Sequence, residues 1–335
     1  MFWEKRLEHW VENIRHQAAL PLRLQLWNGQ QFDFGRQVPE VTVKVPHVSS
    51  LPFLLKPTLA NLGKAYVEGR LDVEGRAREV IAVANALAAH TLKQESRPGW
   101  FSRPFSHTRR KDADAIQYHY DVSNDFYQLW LDPRMVYSCA YFENGDEDLA
   151  TAQLKKIDHI LNKIQVRPGD TLLDIGCGWG ALAIRAASQY GARVTGITLS
   201  RNQHALALER VREAGLEGRV EIRLQDYRDV EGQFDRITSV GMFEHVGLKN
   251  LPLYFRKINA LLKDDGLVMN HGITTTDVGN VEPPYGGGEF IETYVFPHGE
   301  ALKSASLSAL KPSNDLLIPV SWSALAWLIS GSSRL

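Results

Sequence analysis

The sequence predicts an α/β protein: a doubly wound, mostly parallel sheet preceded by a small N-terminal α+β domain. Three observations carry that prediction. From residue 170 onward, apolar runs of strand length alternate with helical patterns, the order that builds a parallel sheet covered on both faces. The first of those runs, Leu172-Leu173-Asp174-Ile175, breaks into Gly176-Cys177-Gly178-Trp179-Gly180, an acid followed by glycine at alternate positions, as a buried strand does when it hands over to a helix beside a ligand. Ahead of this unit, strictly alternating runs around an Asn-Gly turn mark a separate hairpin-containing domain.

In chain order, Phe2, Leu7, Trp10, Ile14 and Ala18 recur at helical spacing and predict an amphipathic first helix over 2–20. Leu22-Arg23-Leu24-Gln25-Leu26-Trp27 and Gln31-Phe32-Asp33-Phe34 alternate about Asn28-Gly29, a hairpin, and Val41-Thr42-Val43-Lys44-Val45 is a third strand closed by Pro46. Helices are expected over 51–62 and 77–92. Residues 1–95 contain no paired carboxylates and no glycine loop, which favours binding over chemistry. Residues 96–115 mix Pro, Gly and Ser with Arg109-Arg110-Lys111 and bare aromatics, the composition of a linker or a membrane-interface tether. Leu154, Ile157, Leu161 and Ile164 predict a helix over 150–164. In the alternating region the expected strands are Thr171–Ile175, Arg193–Ile197, Val220–Leu224, Arg236–Val240 and Leu267–His271. The expected helices are Ala181–Tyr190, Asn202–Ala214 and Leu253–Leu262.

Two cysteines, Cys139 and Cys177, without a CxxC pair or a His/Cys cluster, argue against a disulfide framework and a metal site and fit a reducing compartment. The N-terminus carries acids, unlike a signal peptide, and no run of eighteen apolar residues occurs. Charge is uneven. Residues 1–111 hold 17 Lys+Arg against 10 Asp+Glu, a balance of +7, and residues 112–335 hold 21 against 29, a balance of −8. A basic front part suggests attraction to an anionic surface, phospholipid headgroups or nucleic acid.

The loop pattern is G-x-G-x-G, not G-x-G-x-x-G. The second strand ends in Gly196-Ile197-Thr198-Leu199-Ser200 without the acid that a dinucleotide site places there, and no P-loop pattern occurs. After the third strand, Gln225-Asp226-Tyr227 offers a carboxylate and a ring where an adenine can be hydrogen-bonded and stacked. Asp174, in front of the Gly176, Gly178 and Gly180 loop, can order that loop or receive an ammonium group. Taken together, the elements point to S-adenosylmethionine.

Longer motifs add to this. Tyr118-His119-Tyr120-Asp121-Val122-Ser123-Asn124-Asp125-Phe126-Tyr127, Tyr137-Ser138-Cys139-Ala140-Tyr141-Phe142, the glycine loop, Thr198-Leu199-Ser200-Arg201-Asn202-Gln203, Phe243-Glu244-His245 and His271-Gly272-Ile273-Thr274 occur in that order. With them the chain resembles the cyclopropane-fatty-acyl-phospholipid synthases, relatives of the mycolic acid cyclopropane synthases. The resemblance implies a class I methyltransferase domain of Rossmann-like fold over 116–300 and a lipid-engaging domain over 1–95. It implies that Tyr137, Ser138, Gly176, Gly178, Thr198, Gln203 and the Tyr227 region hold S-adenosylmethionine, and that Cys139, Glu244, His271 and Ile273 surround a bicarbonate ion. The implied activity is transfer of a methylene group to a cis double bond of a phospholipid acyl chain. The implied setting is the inner face of the cytoplasmic membrane, met peripherally, with a homodimer and no nucleic acid partner. A methyl-branched lipid product, N-methylation of an amine, and lipid and cofactor binding without turnover are the alternatives. The motifs follow Phe290-Ile291-Glu292-Thr293-Tyr294-Val295-Phe296-Pro297-His298-Gly299-Glu300 and then stop. Residues 301–335, without a tyrosine, read as a truncated or frame-shifted tail.

Overall fold

The computed structural model describes residues 2–55, 58–91, 123–272, 274–275, 290, 293–294 and 302–303. The 96–115 linker, Tyr118–Val122, Ile273 and all of the 301–335 tail except Leu302 and Lys303 lie outside the described residues.

In the N-terminal unit, α1 (Phe2–Gln17) buries Leu7, Val11 and Ile14 against a four-stranded sheet of order β2-β1-β3-β4. Strand β1 (Leu22–Leu26) turns its leucines inward and meets β2 (Gln31–Asp33) across the Asn28-Gly29 turn, where Gly29 has φ 83. Arg23 and Asp33, opposite each other in register, form a two-pronged ion pair at 2.7 and 3.0 Å. Strand β3 (Val41–Val45) runs parallel to β1, and β4 (Asp72–Glu74), which the sequence does not announce, closes the sheet antiparallel to β3. The single helix expected over 51–62 is two: α2 (Leu51–Leu55) stops, and α3 (Leu59–Val67) restarts under a Thr58 cap that accepts from the Asn61 N–H. Pro57 lies between them, and a residue before proline disfavours the helical region. Helix α4 (Ala77–Thr91) completes the unit.

The larger unit opens with α5 (Asn124–Gln128), capped by Ser123, and α6 (Leu149–Lys163), capped by Asp148, which accepts from Thr151 N–H at 2.8 Å. Strands β5 (Thr171–Ile175), β6 (Arg193–Thr198), β7 (Val220–Leu224), β8 (Phe234–Val240) and β9 (Leu262–His271) form a wholly parallel five-stranded sheet of order β7-β6-β5-β8-β9. Helices α7 (Ala181–Tyr190) and α8 (Arg201–Glu213) join α6 on one face, and α9 (Leu251–Leu261) lies in the core on the other. Leu172 and Leu173 of β5 are fully buried, one in each core. Each contributes about 1.5–3 kcal/mol by leaving water, which accounts for the continuous apolar reading of this strand. Strand β9 begins five residues earlier than expected, because Leu262 pairs with Phe234 before a register shift. Chain order reverses between β5 and β8, and the crevice beyond their carboxyl ends is where such sheets hold ligands.

Candidate active site

The glycine loop follows β5. Gly176 has φ 80, a region other residues avoid, and a Cβ there would meet the Met242 side chain at 3.0 Å. The Gly176 and Cys177 N–H groups donate to the Ile197 carbonyl at 3.0 and 2.9 Å, fastening the loop to β6. Trp179, buried, donates from its indole N–H to Asn124 Oδ1 at 2.8 Å, which ties α5 to the loop.

Beyond these strand ends lies a cavity of about 150 Å³. Tyr137, Ser138, Asp174, Gly176, Gly178, Thr198, Gln203, Asp226 and Tyr227 all line it. Gly180 is not in the lining; it stands at the amino end of α7 with φ 85. Asp174 is buried and accepts from the Thr238 hydroxyl at 2.9 Å across the switch between β5 and β8. Burial pushes its carboxyl up to about 6, against the pull of Thr238 and of Lys156. The thiol of Cys177, also buried, is pushed up by burial and then by Asp174, so it stays an unionised packing group.

Where a dinucleotide site would carry an acid at the end of β6, the Thr198 hydroxyl donates to Gln203 Oε1 at 2.7 Å and accepts from Ser200 N–H at 3.2 Å. Ser200 in turn caps α8. The Asp226 carboxylate is gripped by Arg228, from its backbone N–H at 2.9 Å and its guanidinium at 2.9 and 2.6 Å. Each carboxylate oxygen retains acceptor capacity. Arg228 also lies 5.5 Å from the Tyr227 ring centre, and Tyr227 meets Tyr254 edge to face. Tyr137, half exposed, joins Tyr127 and Trp130 in an aromatic cluster at 5.4 and 5.3 Å.

The donor set fits S-adenosylmethionine: a buried carboxylate for an ammonium group, a hydroxyl–amide pair for ribose, a carboxylate and a ring for adenine, and a loop closed to a Cβ at Gly176.

Cys139, Glu244 and His271 do not line this cavity, whereas His245 does. Glu244 is buried in the short 3₁₀ turn Phe243–His245, and His271 ends β9, where its carbonyl accepts from Gly241 N–H at 2.9 Å. The two adjoin at Gly272. A Cβ there would lie 2.9 Å from Glu244 Oε1 and inside the Phe243 ring. Burial holds the His271 imidazole below its usual range, with further lowering by Lys156 and Lys163, and its buried Nδ1 meets no hydrogen-bond partner among the described residues. Cys139 is exposed. Sequence reasoning missed Gln153, Lys156 and Arg228. Gln153 donates to the carbonyls of Val136 and Ser138 at 3.2 and 2.9 Å, and Lys156 donates to Ser138 Oγ at 2.5 Å. Their signal was available: two polar residues at i, i+3 on the apolar face of α6, beside Ile157 and Ile160.

The sheet and its cavity define a class I S-adenosylmethionine-dependent methyltransferase fold. The mycolic acid cyclopropane synthetase family model matches residues 107–320, and the chain belongs to that family. That match continues past Glu300, where the motifs end. A domain of unknown function, DUF7884, matches residues 9–96. A probable fatty acid methyltransferase of Pseudomonas putida is 49% identical over 292 residues, 87% of this chain and 73% of that protein. The cyclopropane-fatty-acyl-phospholipid synthase of Escherichia coli is 40% identical over 265 residues, 77% of this chain and 66% of that protein. The solved cyclopropane synthase MmaA2 of Mycobacterium tuberculosis superposes with a TM-score of 0.56 at 37% identity, covering 59% of this chain and 72% of that one. Mycolic acid cyclopropane synthase CmaA1, complexed with SAH and CTAB, gives 0.55 at 36% identity with the same shares.

Proposed function

We propose that this chain holds S-adenosylmethionine in the cavity beyond β5 and β8 and transfers its methyl carbon to a cis double bond of a phospholipid acyl chain, closing a cyclopropane ring. The observation that carries the reading is the meeting, at one end of one sheet, of the cavity lined by Tyr137, Ser138, Asp174, Thr198, Gln203, Asp226 and Tyr227 with the buried Glu244 and the partly buried His271. When bound, the cofactor supplies an electrophilic methyl carbon.

The chain's own residues supply the rest. Asp174 would receive the ammonium group, Thr198 and Gln203 the ribose hydroxyls, and Asp226 and Tyr227 the adenine. An alkene is a weak nucleophile, so its position relative to that methyl carbon must be imposed by a site that excludes water. Ring closure needs removal of a proton. Glu244 and His271 suit the holding of a bicarbonate ion as base: a neutral imidazole donates one N–H and accepts at its other nitrogen, and a carboxylate accepts the ion's own O–H. Cys139 and Ile273 are placed at the same ion by the family resemblance alone.

The basic balance of residues 1–111 supports action at the anionic inner face of the cytoplasmic membrane. Among the described residues no helix is long and apolar enough to cross a membrane. A second reading, a methyl-branched product, is favoured by the name of the Pseudomonas putida relative.

The test exposes the purified chain to vesicles of cis-unsaturated phospholipid with methyl-labelled S-adenosylmethionine. Label in the lipid together with loss of alkene reactivity is the expected result. Label in the lipid with the alkene retained would move the assignment to methylation without ring closure, and no label would overturn both readings.

A further inference from the structure

Lys156 is a buried cation that no step above uses. It sits on α6 with 5% of its surface exposed, and its side chain lines the cofactor cavity. Its Nζ donates to Ser138 Oγ at 2.5 Å, while Gln153, one turn earlier, holds the Val136 and Ser138 carbonyls. An ammonium group has only donors, and a serine hydroxyl has one donor and two acceptor sites. The contact therefore engages Ser138 as an acceptor and leaves its O–H to be aimed at another group in the cavity. Of the other charged side chains lining that cavity, Asp226 and Arg228 pair with each other. Asp174 and Lys156 are left as a buried acid and a buried base without a direct contact between them.

We propose that Lys156 is a positioning residue for the carboxylate at the amino-acid end of the cofactor, acting through Ser138, and that with Asp174 it makes that end of the cavity a receptor for a zwitterion. The inference rests on the reading that the cavity holds S-adenosylmethionine. A buried ammonium and a buried carboxylate are each costly unless paired. A ligand that brings one carboxylate and one ammonium group completes both. Burial holds the Lys156 amine down to about 8, against the pull of Cys139 and Asp132 from the loop and of Asp174 from β5. His271 of β9 also feels the Lys156 charge. At neutral pH the lysine is still largely a cation and close to losing its proton.

The test compares S-adenosylhomocysteine, which carries the amino-acid end, with 5′-methylthioadenosine, which lacks it, by titration calorimetry on the full chain. K156M is expected to weaken S-adenosylhomocysteine about tenfold or more, the scale of one lost charge-assisted hydrogen bond, and to leave 5′-methylthioadenosine within about twofold. K156R, which keeps a cation, should recover most of the discrimination. In the wild type, affinity for S-adenosylhomocysteine should fall as pH rises through about 8, more steeply than in K156M, whose slope reports the ligand's own amino group. Equal losses for both ligands in K156M would mark Lys156 as structural and overturn the proposal, as would unchanged binding. Should K156M fail to fold, K156R and the wild-type pH profile decide, and a wild-type profile flat across that range overturns the proposal. Wild-type protein that binds neither ligand would overturn the cofactor reading itself, and this inference with it.

Discussion

Replacing Asp174 by asparagine should stabilise the ligand-free protein while destroying its hold on the cofactor. The carboxyl is buried on β5, accepts from Thr238 at 2.9 Å, and is pushed from an ordinary 3.8 up to about 6. Because the folded value lies above the unfolded one, ionisation opposes folding: the cost is full above about 6 and is relieved as pH falls from about 6 to about 4. At neutral pH a carboxyl so displaced costs about 3 kcal/mol. Asparagine keeps the acceptor for Thr238 but brings a buried amide N–H₂ and removes one of the negative charges that Lys156 feels, which together offset about 1–2 kcal/mol. The net gain is about 1–2 kcal/mol, a rise in melting temperature of about 2–8 °C at 2–4 °C per kcal/mol for a domain of this size. Differential scanning fluorimetry at pH 7.5 with and without S-adenosylhomocysteine reads both effects. A D174N protein that melts below the wild type without ligand, or that keeps the wild-type ligand-induced shift, would refute the reasoning.

Other substitutions test the loop and the adjoining turn. Gly176→Ala places a methyl at φ 80 and 3.0 Å from Met242. It should cost about 1–2 kcal/mol in stability and weaken S-adenosylhomocysteine about tenfold or more by calorimetry. Gly272→Ala would drive a methyl into the Phe243 ring and against Glu244. Overpacking of this kind costs about 1–3 kcal/mol, and labelled-lipid formation should vanish while S-adenosylhomocysteine binding, at a cavity Gly272 does not line, is retained.

The sheet of the larger unit was legible because its central strand β5 is apolar on both faces, its edge strand β7 alternates, and its helices carry a clear apolar stripe. Asp174 and the glycines could be read since acid and glycine spacing is a backbone requirement, visible residue by residue. The edges were harder. Strand β4 is three residues long, too short for a two-residue period to register, and the parallel pairing of β1 with β3 has no local signal. The early start of β9 rests on a pairing of Leu262 with Phe234 across a register shift, through the polar residues Lys263, Asp264 and Asp265, whose composition is that of a turn. At the site, Lys156 was not singled out, because charge on a helix usually faces water. Its hydrogen-bond partner Ser138 and the charge of Asp174 that it feels lie 18 residues before and after it in the sequence. Arg228 was missed beside Asp226 for the opposite reason, a partner so close that the pair looks like ordinary surface charge.

The central claim, a cyclopropane-forming transfer to an acyl chain, is tested most directly by counting deuterium in the product. Vesicles of cis-unsaturated phospholipid are incubated with the full chain and S-adenosylmethionine carrying a fully deuterated methyl group, and the released acyl chains are examined by mass spectrometry before and after a reagent that attacks alkenes. The account predicts an acyl chain that has gained one carbon, retains two of the three deuterons and no longer reacts as an alkene, since ring closure removes one deuteron. A product that retains all three, or one that retains two and still reacts as an alkene, would contradict it.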